Sequence, residues 1–168
     1  LTLEGTVTSG SSGIDINCFT ANTPVGLNRV DISGWRIESD DLQRVIANGI
    51  TLGGDQCGEI FVKGINADAS SNIQNIFTLA AIRDNANASV TFQDFPSTFN
   101  RLVVQADDGI IVETDVSTFQ GDFYFDGDYD DSSVGEKNSK ISIVDDVILT
   151  SKALMTLEVT TGQIEPLG

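Results

Sequence analysis

Four times along this chain a small polar turn is followed by an apolar residue, any residue and a second apolar residue. The copies are Asn48-Gly49-Ile50-Thr51-Leu52, Ala88-Ser89-Val90-Thr91-Phe92, Asp108-Gly109-Ile110-Ile111-Val112 and Asp145-Asp146-Val147-Ile148-Leu149. Such alternation sends two side chains to one face of a short strand and the middle one to the other. The first apolar residues fall at 50, 90, 110 and 147, so the gaps of 40, 20 and 37 read as two units, one unit, and two units with a slip. A recurrence of about 20 residues is the signature of a repeat architecture.

The rest of the chain is built from the same material. Short runs rich in Val, Ile, Thr and Phe, cut by Gly, Asn, Asp and Ser, predict strands at 49–52, 59–62, 76–79, 89–92, 101–104, 109–112, 122–125, 140–143, 147–150 and 154–159. Helical periodicity is confined to residues 39–48, where Leu42, Val45 and Ile46 share one face after a Ser39 cap. A short repeat of two or three strands fits an all-β, right-handed parallel β-helix, in which each unit is one turn of the coil and successive turns stack ~4.8 Å apart. The expected inward columns are Ile50, Val90, Ile110 and Val147, and beside them Leu52, Phe92, Val112 and Leu149. About eight turns would give a rod ~38 Å long. The alternative is a β-sandwich, for which Asn48-Gly49 would be a hairpin turn. Runs such as RLVV and GIIV, apolar on consecutive residues, favour the coil.

Two internal matches extend the repeat. VVQADDGIIVET at 103–114 overlays ISIVDDVILTSK at 141–152, both reading strand, Asp-Asp turn, strand. Thr2-Leu3-Glu4 matches Thr156-Leu157-Glu158, so residues 1–168 read as one domain resembling a segment cut from a longer array. The chain begins at Leu1 and its one methionine is Met155, so the expectation is a processed chain or a piece of a longer one. The units at 108–112 and 156–162 resemble the repeats of filamentous-haemagglutinin-type parallel β-helix proteins, mainly over residues 100–168. The resemblance implies an extracellular structural or adhesive role and brings no catalytic residue set.

Charge and composition narrow the chemistry. A net charge of −16 repels nucleic acid and anionic membranes, and it suits cations, cationic partners or solubility. The absence of histidine removes the commonest general base and the commonest transition-metal ligand. No apolar run reaches the ~18 residues of a membrane span. Cys18 and Cys57 lie in no metal-binding spacing, which leaves two buried thiols or one structural disulfide of an extracellular protein. Residues 39 apart are close to two units. Two stacked layers stand ~9.6 Å apart, beyond disulfide reach, so a bridge requires an enlarged loop within 18–57. Trp35, inside that stretch, reads as a core or cap residue. The sequon Asn87-Ala88-Ser89 makes Asn87 a glycosylation candidate.

The acidic run FDGDYDDSS at 125–133 is the one candidate cofactor site. Asp126, Asp128 and Asp130 fit the first, third and fifth positions of a calcium loop, but Asp131 stands where glycine belongs and Lys137 where the closing glutamate belongs. Calcium held by Asp126, Asp128, Asp130 and Asp131 is set against a solvated acidic turn. A polysaccharide lyase-like enzyme would need two carboxylates and a cation stacked on one face, and no two of the 9 Lys and Arg residues recur at one repeat position beside paired acids. Nucleotide and nucleophile-elbow motifs are also lacking, and no catalytic residue is assigned. The expectation is a non-catalytic, extracellular or cell-surface rod segment that associates end to end with copies or with neighbouring repeats. The alternative is a module displaying loops at 126–139 to a glycan or receptor.

Overall fold

The computed structural model describes residues 1–28, 31–84, 87–132 and 138–167, and shows an all-β protein made of parallel sheets. Strands and helices are numbered in chain order. A six-stranded sheet contains β2 (Gly13–Ile16), β6 (Gly49–Gly53), β8 (Phe77–Ala81), β11 (Leu102–Ala106), β14 (Phe123–Asp126) and β17 (Met155–Glu158). A seven-stranded sheet contains β3 (Thr23–Leu27), β4 (Trp35–Ile37), β7 (Cys57–Val62), β9 (Val90–Phe92), β12 (Ile110–Val112), β15 (Lys140–Val144) and β18 (Gln163–Leu167). Two smaller ladders join β1 (Val7–Thr8) to β5 (Val45–Ile46), and β10 (Ser97–Phe99) to β13 (Val116–Thr118) and β16 (Leu149–Thr150). Two single-turn helices, α1 (Ser39–Leu42) and α2 (Ala67–Ser70), lie between strands.

From β6 onward, each strand of the six-stranded sheet is followed by one of the seven-stranded sheet, and the chain then returns to the next position of the first. All the strand pairings are parallel among the described residues, which is not the antiparallel pairing of the sandwich alternative. Asn48-Gly49 is no hairpin: Gly49 opens β6 and stacks on Gly13.

Register puts like on like. One inward column runs Ile14, Ile50, Phe77, Leu102, Phe123, Met155, and the next runs Ile16, Leu52, Leu79, Val104, Phe125, Leu157. In the seven-stranded sheet the column is Val25, Ile60, Val90, Ile110, Ile141, Ile164. Inside the stack these side chains are fully buried and pack ring against ring. The Phe77 and Phe99 centroids are 5.0 Å apart, and those of Phe123 and Phe125 are 4.3 Å apart.

These columns correct four expectations. Val90 and Ile110 do stack, as do Phe92 and Val112, but Ile50 and Leu52 belong to a different sheet, and Leu149 stacks on Val116 in a third. Ile110 pairs with Ile141, so the overlay of 103–114 on 141–152 is out of register. The two ends that match in sequence differ in structure, since Thr156-Leu157-Glu158 lies in β17 whereas residues 2–4 precede the first strand. Within the six-stranded sheet the spacing between stacked partners runs from 21 residues (Leu102 to Phe123) to 36 (Ile14 to Ile50), so six layers appear there where eight were expected. Pairing constrains the strands but leaves the corners free to lengthen, so a sequence period is a poor ruler here. At 39–48 the helix stops after Leu42, and Val45–Ile46 joins a strand pair in which Val45 pairs with Val7 and is buried.

Tight corners demand glycine. At Gly109 φ is +94°, and a Cβ there would sit 2.2 Å from the Asn138 carbonyl oxygen. Replacement of the fully buried Phe125 by alanine is expected to cost ~3–5 kcal/mol, against ~0.5 kcal/mol or less for Thr78→Ala on the outer face, measured by denaturant unfolding.

Candidate functional site

Three features of the sequence were candidates for function, and the fold places each of them. Cys18 and Cys57 form a disulfide with Cα atoms 5.1 Å apart. The bridge is short-range in space because Cys57 pairs with Thr23 on adjacent strands, so the cysteines, 39 apart in sequence, bound one enlarged pass instead of two regular ones. The enlargement is β4 with α1, the stretch around Trp35 and 39–48. Trp35 is half-buried against the core, and its indole N–H donates to Cys18 Sγ at 3.2 Å. Asn87 is exposed just ahead of β9.

The acidic run turns the corner after β14. Asp126 ends that strand, and its Oδ1 accepts from the Asp128 N–H at 3.3 Å. Asp128 is 1% exposed, accepts the Thr161 N–H through Oδ2, and keeps Oδ1 buried with no hydrogen-bond partner. Asp130 caps the Ser132 N–H at 2.9 Å, and Asp131, at φ +57°, accepts the Thr160 hydroxyl. Among the described residues no group of three or more Asp, Glu, Cys or His side chains could hold a metal ion. Asp126, Asp128, Asp130 and Asp131 are neighbours in a turn, tied to backbone and threonine, and Lys137 lies outside the described residues.

A wider role for the acids was not visible in the sequence. Asp108 Oδ1 accepts the Asn138 N–H at 2.7 Å, Asp115 Oδ1 the Ile148 N–H at 2.8 Å, and Asp122 Oδ1 the Leu154 N–H at 3.1 Å. With Asp128 and Thr161, each aspartate stands at a corner and satisfies a backbone N–H of the layer that follows. The only sequence trace is aspartate near strand boundaries, which any turn would show.

The outer face of the six-stranded sheet carries the two perturbed groups nearest this corner. Tyr124 donates its hydroxyl to Glu158 Oε2 at 2.6 Å; burial first, then that bond and the charge of Asp126, push its ionisation far above the ordinary tyrosine range. Burial also raises Asp126, assisted by the charges of Glu158 and Asp131, against the lowering effect of the Asp128 N–H.

The third feature is the last layer. Ile110 and Ile141 are fully buried, but Ile164, next in the same column, is 49% exposed, and among the described residues β17 and β18 each have one edge unpaired. No helix among the described residues is long and apolar enough to cross a membrane. Compared with family models, curated proteins and solved structures, the chain matches none.

Opening the disulfide by Cys18→Ala/Cys57→Ala is expected to lower stability by ~2–4 kcal/mol, since it frees a long loop in the unfolded chain; equilibrium unfolding of the double variant measures it. Because the folded protein holds a proton on Asp126 to higher pH than the unfolded chain does, its contribution to stability falls as pH rises from the unfolded value of 3.8 through the raised folded value. Asp126→Asn is therefore expected to raise the melting temperature at neutral pH and to leave it unchanged below both values.

Proposed function

We infer that the chain is a non-catalytic structural segment: a right-handed parallel β-helix that forms part of an extracellular filament or surface appendage. The observation that carries this reading is the uncovered last layer. A side chain half-exposed at the end of a column whose inner members are fully buried is what another layer, from a second copy or from neighbouring repeats, would cover. The edges of β17 and β18 add unpaired N–H and C=O groups to the same surface. Right-handedness follows from the rule that governs parallel crossovers. The disulfide supports an oxidising, extracellular setting, where such bonds persist. The exposed Asn87 in its sequon agrees with that setting.

Association end to end is expected to rise with concentration in sedimentation velocity, with thin filaments or short strings in negative-stain electron microscopy. Ile164→Lys on the open edge is expected to return the protein to monomer with an unchanged melting temperature. A wild-type chain that stays monomeric at all concentrations, or an Ile164→Lys variant that associates as well as wild type, would overturn association of separate copies through this layer.

A further inference from the structure

Outward residues of the six-stranded sheet fall into two parallel columns. The first, at the corner, runs Gly13, Gly49, Ile76, Arg101, Asp122, Leu154: Gly13 pairs with Gly49, and the N–H following each later member donates to the carbonyl of the next. The second runs Asp15, Thr51, Thr78, Val103, Tyr124, Thr156. Between them, the intervening residue of every strand points into the core, so a trough is left along the stack. Two recesses of about 240 and 260 Å³ occupy this trough, one beside Tyr124 and the other beside Thr51, and both are lined by Ile76. They are consecutive parts of one groove that crosses six strands, ~24 Å at the inter-strand spacing.

The groove walls are prepared for a ligand. Tyr124 is held by its bond to Glu158, and Arg101 donates Nη1 to Asn75 Oδ1 at 2.6 Å, so neither side chain must be ordered on binding. The flanks Ile76 and Leu154 leave 38% and 67% of their surface exposed. Besides these two apolar residues of one wall, the groove is lined by a ring, threonine hydroxyls, an amide, a guanidinium and carboxylates.

We propose that this groove binds a linear, neutral glycan, lying along the stack with one sugar per strand layer. The repeat of the protein is close to the length of one sugar in an extended chain, so each layer can offer the same kind of contact to successive rings. Sugars present apolar faces for Tyr124 and hydroxyls for Thr78, Thr156 and Arg101. A polyanion is disfavoured, because Asp15 and Asp122 line the groove, Asp126 and Glu158 border it, and the chain carries a net charge of −16. An extended peptide is also disfavoured. It draws its affinity from free backbone groups at a sheet edge, and here the interior strands are paired on both sides.

The test is isothermal titration calorimetry of the folded chain with short neutral oligomers of β-linked glucose, mannose, xylose and N-acetylglucosamine, with polygalacturonate and an unstructured peptide as competitors. Saturable binding to at least one neutral oligomer is expected, with little dependence on salt. Tyr124→Ala is expected to weaken it about tenfold or more, and Tyr124→Phe to keep most of it. Thr78→Trp, which fills the trough from another layer, should abolish it, with melting temperatures confirming that each variant folds. Absence of saturable binding to every neutral oligomer overturns the proposal. So does tighter binding of the polyanion or the peptide, or binding that neither Tyr124→Ala nor Thr78→Trp changes. The measurement is made in the Ile164→Lys background, whose change lies outside the groove, so its result does not depend on whether copies join end to end.

Discussion

The hydrogen bond between layers governs this molecule. Parallel strands in register send the N–H of one layer to the carbonyl of the next, as from Ile50 to Ile76, Phe77 to Arg101 and Leu102 to Asp122. Once that bond repeats, side chains at one strand position must stand directly over one another. A column can then be all apolar and inward, as in Ile60, Val90, Ile110 and Ile141, or outward and mixed, as in Thr51, Thr78, Val103 and Tyr124. The core and the groove are thus two faces of the same constraint, one residue apart along each strand.

Corners escape the ladder, and the aspartates take over there. Asp108, Asp115, Asp122 and Asp128 each accept a main-chain N–H of the following layer. An orphaned N–H at a bend costs more than the modest net worth of a satisfied one, so a short acceptor side chain is favoured there. Part of the acidity that a reader would assign to solubility or calcium is used inside the fold in this way.

Where strands were strongly apolar, the sequence revealed them. GITL, EIFV, IFTL, SVTF, RLVV, GIIV, DFYF and KISI all lie on strands of the two large sheets. Serine- and threonine-containing pieces such as Ser97–Phe99 and Val116–Thr118 did not stand out, because three residues give too little alternation to separate a strand from a turn. The unit length misled for another reason. The number of residues from one stacked position to the next varies, so matching by spacing placed Val147 where Ile141 sits. The cysteine geometry was legible as a condition, an enlarged pass between 18 and 57, and the fold meets it with β4 and α1. The groove was hidden because its two walls come from residues two apart on six separate strands.

The disulfide also sets how this chain responds to force. Cys18 and Cys57 tie the ends of one enlarged pass, 39 residues apart in sequence. Under tension applied at the two termini, layers beyond Cys57 can peel away one at a time, each held only by its neighbours. The stretch between the cysteines cannot lengthen, which withholds about 130 Å of contour from any extension. The clamp leaves β1 and β2 outside it on one side and every strand after Cys57 outside it on the other.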